Sequence, residues 1–122
     1  MQLKAFEQEL SVCKLSDASG IDLSNELTFV GITDEEVSLV CPTALVPANT
    51  IAREDGWRAF RVQGVLDFSL TGILSRISGV LADAQVGIFA VSTYNTDYIL
   101  VKAPAFTRAL DALQEAGFSI AQ

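Results

Sequence analysis

Two stretches of this chain repeat one pattern at a separation of about 60 residues. Phe29-Val-Gly-Ile-Thr33 leads into Asp34-Glu-Glu36, then Val37-Ser-Leu-Val40 and Pro42. Phe89-Ala-Val-Ser-Thr93 leads into Tyr94-Asn-Thr-Asp97, then Tyr98-Ile-Leu-Val101 and Pro104. Each spells strand, tight polar turn, strand. Phe29 and Phe89 are 60 apart, as are Thr33 and Thr93, whereas Leu39 and Leu100 are 61 apart. The spacing predicts a second turn longer by one residue. In a chain of 122 residues, such a period leaves room for two compact α+β units.

The second half carries the fuller set of parts. Trp57-Arg-Ala-Phe-Arg-Val62 alternates apolar and polar side chains, as a strand with one buried face does. After a break at 64–69, the residues Leu70, Ile73, Leu74, Ile77, Val80 and Leu81 form one helical stripe. Val86 to Thr93 and Asp97 to Val101 form the hairpin. Pro104 suits a first helical turn, and Phe106, Ala109, Leu110 and Leu113 make a second stripe. Gly117 ends it, and Phe118-Ser-Ile120 closes as a short strand. The order βαββαβ predicts a four-stranded antiparallel sheet with two helices on one face, the ferredoxin-like fold.

The first half has fewer parts. Ala5 to Leu15 reads as one strand, and 27–33 with 36–41 as a hairpin. Ser16 to Glu26 has room for a turn or so of helix, and 43–56 contains Pro47 and no helical stripe. Charge divides the same way: residues 1–56 hold three basic and ten acidic residues, and residues 57–122 hold five of each. The step falls near Arg53-Glu-Asp-Gly56, so the expected units are 1–56, reduced, and 57–122, complete.

Composition removes several functions. The net charge of -7 opposes binding to nucleic-acid backbones or anionic membranes. The absence of histidine removes Ser-His-Asp and Cys-His nucleophiles and histidine metal sites. Cys13 and Cys41 are too few for a disulfide scaffold or a zinc site, and each lies in an apolar run as a buried thiol would. The turn Asp34-Glu-Glu36 lacks the spacing of a calcium loop. There is no phosphate-cradling glycine loop, and Met1-Gln-Leu-Lys-Ala-Phe-Glu7, with no apolar core stretch, is not expected to act as a signal peptide. The expectation is a cytoplasmic, non-catalytic protein with no cofactor or metal.

Gly64-Val-Leu-Asp-Phe-Ser-Leu-Thr-Gly-Ile-Leu74, followed by Val86-Gly-Ile-Phe-Ala-Val-Ser-Thr-Tyr-Asn-Thr-Asp-Tyr-Ile-Leu-Val101, resembles the ACT domain. The chain is similar to small bacterial tandem-ACT proteins, whose units resemble those of animal cytosolic arginine sensors. The resemblance implies regulatory binding of a small ligand, often an amino acid, at an interface between ACT units. It implies a site at Asp67, Phe68, Ser69, Leu70, Thr71 and Gly72, facing a hairpin with Ser92, Thr93, Asn95 and Asp97. It also implies a homodimer and an unidentified downstream partner.

Elementary chemistry agrees with that site. A ligand carboxylate suits the free N–H groups of a helix start around Ser69 to Ile73, and Gly72 lets it approach the backbone. A ligand ammonium suits Asp67 or Asp97. Asp67 also suits a helix cap, and Asp97 a turn. Arg58 and Arg61 are expected on an exposed strand face, paired with the acidic half. The rival reading is a ligand-free module that pairs through exposed sheet edges.

Overall fold

A computed structural model describes residues 1–63 and 72–121. The chain divides into two bodies, one of Met1–Glu7 with Arg58–Gln122 and one of Gln8–Trp57. The expected first unit of 1–56 therefore differs at its start, because its opening residues fold with the C-terminal body.

The larger body contains β1 (Gln2–Ala5), the later part of β5 (Thr50–Val62), α1 (Ile73–Asp83), β6 (Phe89–Ser92), β7 (Asp97–Lys102), α2 (Phe106–Glu115) and β8 (Ser119–Ala121). Its strand order is β6-β7-β5-β1-β8. This is the expected ferredoxin-like order with one strand added. β1 lies between β5 and β8, antiparallel to the first and parallel to the second. The sheet, expected to be wholly antiparallel, thus gains one parallel pair.

β1 earns this place by alternation. Leu3 sits opposite Val62 and Ala5 opposite Phe60, and adjacent strands in register turn paired side chains to the same face. All four join a core with Ile77 and Leu81 of α1 and Phe106, Ala109, Leu110 and Leu113 of α2. The helices supply their stripes as the periodicity predicts, although α1 begins at Ile73, and Leu70 lies outside the described residues. Pro104 sits in a short 3-10 turn, Ala103–Ala105, that leads into α2. Gly117 stops α2 at a φ of 104°, a left-handed conformation that glycine adopts freely.

Arginine side chains tie this body together. Arg58 donates through Nε and Nη2 to the Phe6 carbonyl, at 3.0 and 2.8 Å, and lies 4.1 Å from the Phe106 ring centroid. Arg76 of α1 donates to the Ala116 carbonyl past the end of α2 and lies over the Phe118 ring. Among the described residues neither Arg58 nor Arg61 pairs with an acidic residue, contrary to expectation; Arg61 donates to the Tyr98 hydroxyl and to Gln63.

The smaller body contains β2 (Leu10–Leu15), β3 (Phe29–Ile32), β4 (Val37–Pro42) and the first part of β5, in the order β3-β4-β2-β5. The single expected strand from Ala5 to Leu15 is two strands, β1 and β2, with Phe6 to Glu9 between them. This is the ferredoxin-like strand order without α-helices among the described residues. Only a 3-10 turn, Thr43–Leu45, stands where the second helix would be. Where the first helix would be, Asp17 and Asp22 each accept hydrogen bonds from a serine two residues on, which lowers both carboxyls below the usual range. Ile21 and Val46 cover a small core of Cys13, Leu15, Leu39 and Cys41. Ser11, with no exposure, donates to Asp55 and shares a hydrogen bond with Thr43.

The repeat is more regular than the sequence pattern suggests. Phe29 pairs with Val40 and Phe89 with Leu100; Ile32 pairs with Val37 and Ser92 with Asp97. Thr33 N–H donates to the Glu36 carbonyl, and Thr93 N–H to the Thr96 carbonyl. The two turns are equal in length, and the period is 60 throughout. Leu39 therefore corresponds to Ile99, and the expected extra residue in the second turn is corrected.

Three outcomes are expected. Leu3→Ala, on a strand that belongs to the larger body only through tertiary pairing, lowers stability by about 2–5 kcal/mol in urea unfolding. Burial raises both thiols, Cys41 to about 11, with Cys13 adding to it. The folded chain thus holds the Cys41 proton more tightly than the unfolded chain, whose ordinary value is 9.0. Stability is intact below about 9 and falls as pH climbs toward about 11. Iodoacetamide labels neither thiol in the folded protein at pH ~8 but labels both in urea.

Candidate functional site

The β6–β7 hairpin holds one group of the expected site residues. Alternation places Asp97 with Ile99 and Val101, the side chains that enter the helix-packed core. At the end of the strand, beyond that core, Asp97 is half-buried. Ser92 stands opposite Asp97 in register and donates its hydroxyl to Oδ1 at 2.6 Å. The structure therefore brings these two together as one polar pair.

Thr93 closes the turn. Its N–H donates to the Thr96 carbonyl at 2.8 Å and its hydroxyl to the same oxygen at 3.1 Å. Asn95 is exposed in the turn, next to Tyr94, which is 80% exposed. The hairpin thus presents a carboxylate, a hydroxyl and an amide within six residues. A carboxylate held by one hydroxyl keeps further lone pairs for a cationic group.

Gly72 is the N-cap residue of α1, at a φ of 86°, without a side-chain cap hydrogen bond. Its carbonyl accepts the first helical hydrogen bond, from Arg76 N–H at 2.8 Å. A Cβ built on Gly72 would meet nothing within 4 Å. The glycine is required by the left-handed turn and not by close packing of helix on sheet. The remaining expected residues, Asp67, Phe68, Ser69, Leu70 and Thr71, lie outside the described residues.

One positioning residue was missed. Thr96 is 6% exposed and donates its hydroxyl to the Val62 carbonyl at 2.8 Å. It fastens the turn to the end of β5, just where the chain leaves toward residue 64. The available signal was a threonine at the fourth turn position, where the first hairpin has Glu36. A turn threonine at the surface looks the same in sequence, so burial alone separates the two.

Among the described residues no three His, Cys, Asp or Glu side chains gather to hold a metal ion. Among them, too, no helix is long and apolar enough to cross a membrane.

Comparison with known proteins bears on the same segment. Residues 52–115, more than half of the chain, match the family model for the ACT domain. The human cytosolic arginine sensor for mTORC1 subunit 1 is 36% identical over 59 residues, which are 48% of this chain and 18% of that protein. The chain thus spans less than a fifth of the curated relatives it matches. A crystal structure of an Agrobacterium tumefaciens protein has a TM-score of 0.87 at 30% identity, covering 98% of this chain and 91% of that one. The ligand-free regulatory subunit of Thermus thermophilus aspartate kinase shares the fold, with a TM-score of 0.66 at 10% identity over 94% and 96% of the two chains.

Thr96→Val tests the anchoring of the hairpin. It removes the hydroxyl and leaves the Val62 carbonyl without that donor, so stability should fall by about 1–3 kcal/mol in urea unfolding. Thr93→Val, whose hydroxyl is at the exposed turn, should cost less than about 1 kcal/mol.

Proposed function

This chain belongs to the ACT domain family, and on that premise we propose that it is a non-catalytic regulatory protein that binds an amino acid at an interface between ACT units. The observation that carries the reading is the Ser92–Asp97 pair at the end of the hairpin, in the segment that matches the family. Asp97 meets the ligand ammonium, with Ser92, Thr93 and Asn95 as hydroxyl and amide partners. Gly72 and the backbone N–H groups that follow meet the carboxylate at the start of α1. Asp67, Phe68, Ser69, Leu70 and Thr71 complete the proposed site. A cytosolic arginine sensor among the relatives supports an amino-acid ligand and a cytoplasmic setting. The absence of histidine supports a binding rather than a catalytic role.

The mechanism is linkage. A ligand that contacts two units stabilises the one arrangement in which both are in reach, and a downstream partner reads that arrangement. Two copies of the chain form the working assembly, because each chain holds one helix-bearing unit and one reduced unit.

A second reading has its own observation. Edge strand β3 exposes Val30 and Ile32, by 38% and 66%. A ligand-free module that pairs through sheet edges would use such a strand.

Thermal unfolding against each of the twenty amino acids, at millimolar concentration, separates the two. A ligand at about 100 times its Kd adds roughly 2.7 kcal/mol, several degrees in a chain of this size. The sensor reading requires a shift with one or a few amino acids that Asp97→Ala removes while the unliganded Tm is kept. No shift with any of the twenty sinks it in favour of the pairing module.

A further inference from the structure

In the larger body, Lys4 and Arg61 are register partners on neighbouring antiparallel strands. They alternate with Leu3, Ala5, Phe60 and Val62, so they stand on the sheet face turned away from the helix-packed core. Like charges placed directly opposite each other repel and destabilise a sheet. Here no carboxylate offsets the repulsion: among the described residues no ion pair is formed by either cation.

Aromatic rings fix both cations in place. Lys4 Nζ lies 5.4 Å from the Phe6 ring centroid, and the Arg61 guanidinium lies 5.3 Å from it. Arg61 is also 5.8 Å from the Tyr98 ring centroid and donates Nη1 to the Tyr98 hydroxyl at 3.1 Å. The Phe6 and Tyr98 rings stack at 6.1 Å. All four side chains are half-buried. Two positive charges are thus held on an aromatic floor, with little rotamer freedom left to lose on binding.

We propose that this face receives the acidic hairpin turn Asp34-Glu35-Glu36 of a second copy of the chain. All three acidic side chains are exposed and lie in the four-residue turn between β3 and β4. Glu35 and Glu36 each donate a backbone N–H to the Thr33 hydroxyl oxygen, which fixes the turn that carries them. The turn offers three consecutive carboxylates to a pair of unpaired cations, in a chain whose residues 1–56 hold all of its net charge of -7. A two-fold axis makes the contact twice, each copy lending one turn and one face. The contact rests on the two-copy assembly proposed above but uses residues outside the proposed ligand site.

Sedimentation velocity on the whole chain tests it. The wild type is expected to associate at about 50 mM salt and to weaken about tenfold or more by about 500 mM. K4E/R61E should be monomeric, and so should D34K/E35K/E36K, whose exposed positions leave folding intact. An equimolar mixture of the two variants should associate again, because each then offers the charge the other lacks. Retained association by the turn variant overturns the contact while leaving the assembly standing. A wild type that is monomeric at low salt overturns both. Failure of the mixture, with native circular dichroism in each variant, overturns the contact even where both variants are monomeric.

Discussion

Residues Gln2–Ala5 give hydrogen bonds on both sides, to β5 and to β8. The sheet of the larger body depends on this strand. Without it, β5 and β8 have no partner between them, and Leu3 and Ala5 leave the centre of the helix-packed core. Leu3 has no exposure at all. Burying a leucine of this kind is worth about 1.5–3 kcal/mol, a large share of what a small domain has in reserve. The two helices, the hairpin and the start of α1 all stand on that sheet.

The sequence made the helices and the two hairpins legible because their signals are local. Ile77, Leu81, Phe106, Ala109, Leu110 and Leu113 pack where their spacing puts them. The place of β1 was not legible, because four residues with one alternation carry no record of two distant partners. The period was misread for a different reason. Leu39 was matched to Leu100 on identity, yet Leu39 corresponds to Ile99, whose side chain faces the helices. A slip of one residue exchanges the two faces of a strand, and only the equal turns of Thr33–Glu36 and Thr93–Thr96 fix the count.

The candidate site divides in the same manner. Ser92 and Asp97 were legible because hairpin partners follow from the turn. The need for glycine at position 72 was legible, but its reason was not. The left-handed φ and the open space around its missing Cβ belong to the backbone path, which no residue type spells out. Thr96 was invisible for a third reason: its role depends on Val62, 34 residues away. The binding proposed for this ACT domain has a simple physical basis: a rigid sheet that displays a few polar groups at its margin.

The inserted strand also sets an order of events during synthesis. Ser119, which pairs with Gln2, is made more than a hundred residues later. At about 5–20 residues per second, β1 waits on the order of ten seconds for its parallel partner. Throughout that interval a short strand with one apolar face has one edge or both without hydrogen bonds, next to a ribosome and other nascent chains. Lys4 in the middle of β1, and Glu7 and Glu9 just after it, place charge around that strand while it waits. Charged residues of this kind act as gatekeepers against premature pairing, so the same lysine that stands on the finished sheet face also guards the strand before the sheet exists.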